Sequence, residues 1–487
     1  MMDKIKGQLL TTLLLFFFLS PIIIILYYFK IQIQIEIPFD DFVFAFKNSV
    51  VQSIATAFIC ISGSLLLVPG LSQIKNKWLS SAMTAALLPS LLPSLFTILI
   101  VFSYFKQFPF GTLGIVIIFS ITYFGFSTVA LYNAYSALVD RYSGVVGIYN
   151  VSWWDRYMKL YIPLLKQDLF NIFLIIMLGC FSSLSVPLLA GGGRGANVEL
   201  LIYESIYING QWATASVVAV IQIILMLGLG FYLNQKNNLS ASAFTSQSQA
   251  IKKTNISFIF FMAYIASYIG GYIFQVIQAL MKMNNQHMYF NEFTAALSHS
   301  LILSLSSIVI FLVLIIVIIY LNYIKANSQF VTYFLLPSST VVGFSLYLLF
   351  SEQFSVMIDV VKVSLGLNLI YGLALYKSYI QPQFSSLHTQ LEVCRIYGLT
   401  FGTALRQVIL PQLKKSLVIS GNIIFIFSFC EFALIKAAGA QSIFSGVFIE
   451  RLISTYHLDQ GFIYSFIVLC LVFLFFHITR FLTNESN

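Results

Sequence analysis

Charge is what this sequence lacks most. Only 9% of its 487 residues are Asp, Glu, Lys or Arg, against 59% hydrophobic, far from the balance of a water-soluble domain. A soluble globular chain is excluded, and a bilayer becomes the solvent in which the rest must be read. Cysteine is scarce as well: Cys60, Cys180, Cys430 and Cys470 fall in apolar runs and Cys394 in a polar one, with neither disulfide nor metal-ligand spacing. They read as small apolar residues. The five histidines, His287, His299, His388, His457 and His477, also lack ligand spacing, so no metal site is expected. No stretch reads G-x-x-x-x-G-K-[ST] or H-E-x-x-H, which removes the P-loop nucleotide cradle and the helical zinc-hydrolase motif. No catalytic residue and no bound cofactor is expected of this chain.

What is there instead is a series of apolar windows. Runs of about 20 residues, long enough to cross roughly 30 Å of hydrocarbon as helix, recur about twelve times, near 8–29, 49–69, 82–104, 112–135, 165–190, 212–234, 255–278, 298–321, 329–350, 357–376, 416–437 and 461–482. The first, flanked by Lys4 and Lys6, is too long for a signal-peptide core and has no small-residue cleavage site after it, so it reads as an anchor. With the N-terminus inside, about two thirds of the 26 Lys and Arg fall on the cytoplasmic side, the bias expected of an inserted chain. Both termini are then cytoplasmic. The net charge of +9 is a topology signal and gives no support to nucleic-acid binding. Between the first two windows, Ile31 to Ile37 alternates strictly, which predicts an extended outer stretch with one apolar edge.

The sequence repeats itself. Phe39-Asp40-Asp41-Phe42 with Ala45, Ser49 and Ser53 returns, displaced by 251, as Phe290-Asn291-Glu292-Phe293 with Ala296, Ser300 and Ser304. Leu87-Leu88-Pro89-Ser90 returns as Leu335-Leu336-Pro337-Ser338, and Pro163, Leu165, Lys166 as Pro411, Leu413, Lys414, both displaced by 248. Three ordered matches predict a fused duplicate: a first repeat over 1–240, a linker over 241–254 rich in Ser and Gln, and a second repeat over 255–487. Six spans in each would enter the membrane in the same sense, giving two parallel repeats related by an axis along the membrane normal.

One polar stretch stands out between apolar neighbours: "EVCRIYGLTFGTALRQVILPQLKKS", from Glu392 to Ser416. Leu391 to Tyr397 can form a helix, Gly398 tolerates positive φ for a turn, and Thr403 to Ile409 can form a second short helix. The pattern resembles the EAA loop of permease subunits in binding-protein-dependent ABC importers: Glu-Ala-Ala, three residues, Gly, nine residues, Ile, one residue, Leu-Pro. Glu392, Gly398, Leu410 and Pro411 match, while Val393 and Cys394 replace the alanines and Val408 replaces Ile. The first repeat keeps a worn copy, with Asn150 at the Gly position and Ile162-Pro163 at the end. "AGGGRGANVELLIYESIYINGQW" from Ala190, "STYHLDQGFIYSFIVL" from Ser454 and "SFCEFALIKAAG" from Ser428 are similar to segments of the fused twelve-span permeases of the ferric-iron and thiamine type, with Glu431 where the thiamine branch often has Asp.

The resemblance implies an all-α integral membrane protein, of about twelve transmembrane helices, in a bacterial cytoplasmic (inner) membrane. It implies that two copies of a cytosolic ABC ATPase, which bind the ATP, dock on the two loops, and that an external solute-binding protein delivers thiamine or ferric iron. Two rivals remain: a secondary transporter, which would need a coupling-ion site on broken spans, and a membrane-embedded lipid-modifying enzyme, which would need a catalytic cluster at one interface. Single residues leave alternatives open. Glu431 and Lys436 are candidates for the translocation path, where a carboxylate would favour a cationic solute; the other reading is a helix-end charge at the outer interface. Lys362 reads as a side chain snorkelling from an outer span end. Trp153 and Trp154 mark either an interface or an ATPase contact.

Overall fold

A computed structural model of the chain describes residues 2–31, 39–72, 77–105, 107–148, 155–236, 256–282, 289–324, 338–350 and 355–484. Among them there is helix and no strand. The expected linker over 241–254, Asn150, Trp153, Trp154 and most of the alternating stretch after Ile31 lie outside the described residues.

Up to Lys236 the helices are α1 (Met2–Ile31), α2 (Phe39–Leu71), α3 (Lys77–Ala86), α4 (Leu88–Leu91), α5 (Ser94–Tyr104), α6 (Thr112–Ile148), α7 (Arg156–Phe181), α8 (Ser185–Ala190), α9 (Val198–Tyr207) and α10 (Trp212–Lys236). From Ile256 they are α11 (Ile256–Lys282), α12 (Phe290–Tyr323), α13 (Ser339–Leu349), α14 (Val356–Ser386), α15 (His388–Ile396), α16 (Phe401–Phe429), α17 (Ala433–Ala437), α18 (Ser445–Ser454) and α19 (Leu458–Asn484). Ten of the described helices are long and apolar enough to cross a membrane, or eleven if a pair bent by 96° counts as one span. Large apolar side chains such as Leu66, Phe58, Met281 and Phe473 face outward from them, an arrangement that water would penalise and lipid tails accept. The chain is an all-α, multi-pass membrane protein.

Several windows turn out to be interrupted. The expected span over 82–104 breaks at Leu92-Pro93, where the residue before a proline is driven to extended backbone; Leu92 has φ −77° and ψ 150°. The window over 165–190 ends at Phe181 and restarts as α8. That over 416–437 ends at Phe429, with α17 following after Cys430-Glu431-Phe432. Of the window over 329–350 the described part is the eleven-residue α13.

The expected pair of short helices around the Leu-Pro motif is corrected in one respect. α16 runs without a break from Phe401 through Pro411 to Phe429, because Leu405–Ile409 is wound as a wide π turn. A proline has no N–H for the helix ladder and its ring collides with the carbonyl four residues back; widening the preceding turn moves that carbonyl away. The same device precedes Pro163, at Arg156–Tyr161, and Pro382, at Tyr376–Ile380.

The first helix of each stretch packs against the other stretch. α1 lies on α13 as well as on α10, with Leu14 and Phe18 in a core built from residues after Lys282. In turn α11 lies on α2, α3 and α5. Its Tyr264 hydroxyl donates to Ile121 O at 2.8 Å, and its Tyr268 hydroxyl pairs with Thr97 Oγ1 at 3.1 Å. Two hydrogen bonds also recur: Val198 N donates to Ser49 Oγ at 2.9 Å, and Ser445 N donates to Ser300 Oγ at 2.8 Å. Each ties the first residue of a ten-residue helix, α9 or α18, to a long helix, α2 or α12.

Candidate functional site: a helix–turn–helix loop and an internal cavity

α15 ends where its sequence stops favouring helix. Gly398 has φ +67°, and its N–H bonds Arg395 O at 3.0 Å while Leu399 N bonds Cys394 O at 3.0 Å, the left-handed cap that glycine takes without steric cost. A methyl group at Gly398 would meet no atom within 4 Å, so only the backbone angle demands glycine there. The turn is fastened from one side. Arg395 donates from a guanidinium NH2 group to Asn322 O at 3.0 Å and lies 5.1 Å from the centre of the Tyr323 ring. Tyr323 donates its hydroxyl to Leu399 O at 2.8 Å, and its ring and that of Tyr320 meet Phe401. The C-terminus of α12 therefore holds both helices of the loop, a contact between residues more than 70 positions apart.

The opposite face is open. Ile396 and Tyr397 are 81% and 78% exposed, with exposed Val393 and Leu399 beside them. Cys394 is buried under them, while Leu410 and Pro411 are exposed and Val408 half-buried. Glu392 is half-exposed, 3.9 Å from His388 Nε2. Val393 and Ile396 ride on α15, a short helix of polar composition, while Val408, Leu410 and Pro411 belong to the start of the long α16. At the Ile-Pro pair expected to match Leu410-Pro411, Ile162 is half-buried and Pro163 exposed at the start of the straight part of α7.

At the helix breaks lies a cavity of about 350 Å³. Its wall joins the breaks on both sides of the sequence: Ser90, Leu92 and Pro93 before α5, Ser182 to Val186 around the start of α8, Ser339 at the start of α13, and Cys430 to Ala433 before α17. Broken helices free backbone groups and place hydroxyls where a continuous helix would place apolar bulk, and such breaks are tolerated at membrane depth where they line a cavity. Phe119, Tyr123, Tyr371, Phe427 and Phe432 supply aromatic walls, with the Tyr371 and Phe427 rings 4.6 Å apart.

Glu431 is the one charged residue in this lining. Its Oε1 accepts from Leu434 N at 2.9 Å, so it both faces the cavity and caps α17. Lys436 is not part of that wall; its Nζ lies 3.0 Å from Glu450 Oε2. Two residues of α14 depart from the sequence reading. Lys362 does not snorkel: it is 3% exposed and pairs at 3.3 Å with Asp359, also 3% exposed. Asp359 Oδ2 accepts from Gln441 N at 3.1 Å, Ser442 N at 3.0 Å and Ser442 Oγ at 2.8 Å, clamping the link between α17 and α18. The signal for it, Asp and Lys three apart in an apolar run, was present. The matching Gly-rich link before α9 is held by amides instead, Gln52 Nε2 to Gly195 O at 2.9 Å and Asn48 Nδ2 to Ala196 O at 3.1 Å.

The chain matches no protein-family profile, no curated protein sequence and no solved structure.

Proposed function

We propose that this protein is the membrane-embedded permease subunit of an ABC importer, built as a fused pair of parallel six-span repeats. The observation that carries the reading is the exposed apolar face of α15 and its Gly398 turn, with its other side locked to the C-terminus of α12. A cytosolic ATPase is the occupant that this face fits: the patch is apolar, rigidly mounted and rimmed by Glu392 and His388. Two further observations support the duplication. The Ser49 and Ser300 hydrogen bonds recur at motif positions, and π turns precede both Pro163 and Pro411. The exchange of α1 and α11 between the two stretches adds the reciprocity expected of a pseudo-dimer.

In this reading the cavity at the helix breaks is the solute path. One carboxylate, several aromatic faces and a ring of hydroxyls favour a ring-bearing organic cation such as thiamine, ahead of ferric ion, which calls for several anionic oxygens. An external binding protein would deliver the solute to the loops after α17 and α8. The ATP is hydrolysed by the partner.

A photo-crosslinking residue at Ile396 tests the docking face in native membranes. It should capture a P-loop ATPase, whereas the same probe at Leu66, on the lipid-facing side of α2, should not. Capture of lipid alone at Ile396 would remove the docking assignment. Orientation is checked separately in a Cys470→Ser background. A cysteine at Thr455 should react with an impermeant thiol reagent added to whole cells at least ten times faster than one at Thr403. The reverse ratio would invert the topology.

A further inference from the structure

Where α9 meets α13, a carboxyl is buried with no cationic side chain paired to it among the described residues. Glu199 is fully buried, as is Thr340, and Gln222 on α10 is 1% exposed. Gln222 donates its side-chain N–H to Glu199 Oε1. Burial is the larger influence on the carboxyl and favours its neutral form, while the hydroxyls of Ser338 and Thr340, the Gln222 amide and the Thr340 N–H favour the charged one; by hydrogen-bond geometry three oxygens of this group still lack a partner. Glu199 Oε2, Gln222 Oε1 and Thr340 Oγ1 are all buried and none has a hydrogen-bond partner within the protein. Among the described residues no Lys, Arg or His forms an ion pair with Glu199 or perturbs it electrostatically.

Buried acceptors left together without donors are a rare and costly arrangement, and a buried carboxylate needs a counter-charge or a proton. Gln222 has already given its donor to Oε1, which leaves its own carbonyl oxygen without a donor. What the three oxygens share is the ability to ligate a hard cation, since carboxylate, amide carbonyl and hydroxyl are all oxygen donors. One carboxylate balances one positive charge; a divalent ion would leave an unpaired charge in a low-dielectric site. Three or four oxygens suit a small ion better than potassium, which calls for a larger shell.

We propose that Glu199, Gln222, Thr340 and Ser338 form a binding site for a sodium ion, joining α9 and α10 to α13 across the two stretches of the chain. The ion pins the contact between the stretches, and it does so whether or not an ATPase docks at α15. Nothing in the site lies in the cavity wall that holds Glu431 except for its neighbour Ser339.

The test is made on the full-length purified protein in detergent at fixed pH and ionic strength, with sodium, potassium or choline as the cation. Radioactive sodium should bind at about one ion per chain, and the unfolding midpoint in 300 mM sodium should exceed that in choline by about 2 °C, with potassium close to choline. Glu199→Gln and Thr340→Val should each lower sodium binding at least tenfold and abolish the sodium-dependent shift. Because the cation series on the unaltered protein stands alone, poor folding of a variant does not rescue the idea. Equal midpoints in the three salts, or no bound sodium, would overturn it and leave Glu199 as a neutral buried acid. Sodium binding that survives Glu199→Gln would overturn it equally.

Discussion

Asp359→Ala should destabilise the protein by about 3–5 kcal/mol, because it removes one partner of a buried ion pair and leaves the other charge unpaired. Lys362 would keep its ammonium in a site where it is 3% exposed, and the donors from Gln441 and Ser442 would lose their acceptor. Asp359→Asn retains an acceptor and should cost less. The double change Asp359→Ala with Lys362→Met should recover part of the loss, since neither charge then remains. Equilibrium unfolding of the reconstituted protein measures all three. A loss below about 1 kcal/mol for Asp359→Ala would mean that water reaches the pair and that the clamp on the α17–α18 link is weak.

In the proposed importer, Gly398→Val should leave the protein inserted at normal abundance but reduce ATPase retention about tenfold, with transport falling in parallel. The strain of a β-branched residue in the left-handed region is about 1–2 kcal/mol, and 1.4 kcal/mol is a factor of ten in an equilibrium. No atom lies within 4 Å of the added Cβ, so the cost is confined to the backbone angle of an exposed turn and the core does not feel it. Gly398→Ala should show a smaller loss of the same sign. Asn150→Val, at the position the sequence repeat would match to Gly398, should do less. Retention of ATPase per molecule of this chain in detergent is the readout. Full retention by Gly398→Val would separate the loop from ATPase docking.

Features written in local order were readable from the chain. The apolar runs gave the long helices, and the helix–Gly–helix pattern around Gly398 gave a turn whose φ is indeed positive. Ser49 and Ser300, noticed only as matched letters, turn out to cap equivalent contacts. Proline misled in opposite directions. Pro93 sits inside what reads as one span and breaks it, while Pro411 reads as a stop and is passed over by a π turn. The difference lies in how the preceding turn is wound, which composition does not report. Lys362 was misjudged because Asp359, three positions before it, was not considered as its partner, and Glu199 was passed over because Gln222 and Thr340 are 23 and 141 positions away. Side-chain environments set by distant elements leave no periodicity to read.

The crossed packing of α1 and α11 has a consequence for how the chain is made. α1 leaves the ribosome well before α13, against which it packs and which begins about 300 residues later, a delay of roughly 15–60 s at about 5–20 residues per second. During that interval the inner face of α1 must be sheltered by lipid, by α10 or by the insertion machinery. The protein therefore cannot complete one half before starting the other, and a ribosome stalled before Ser339 would leave α1 bound to a partner it must later share.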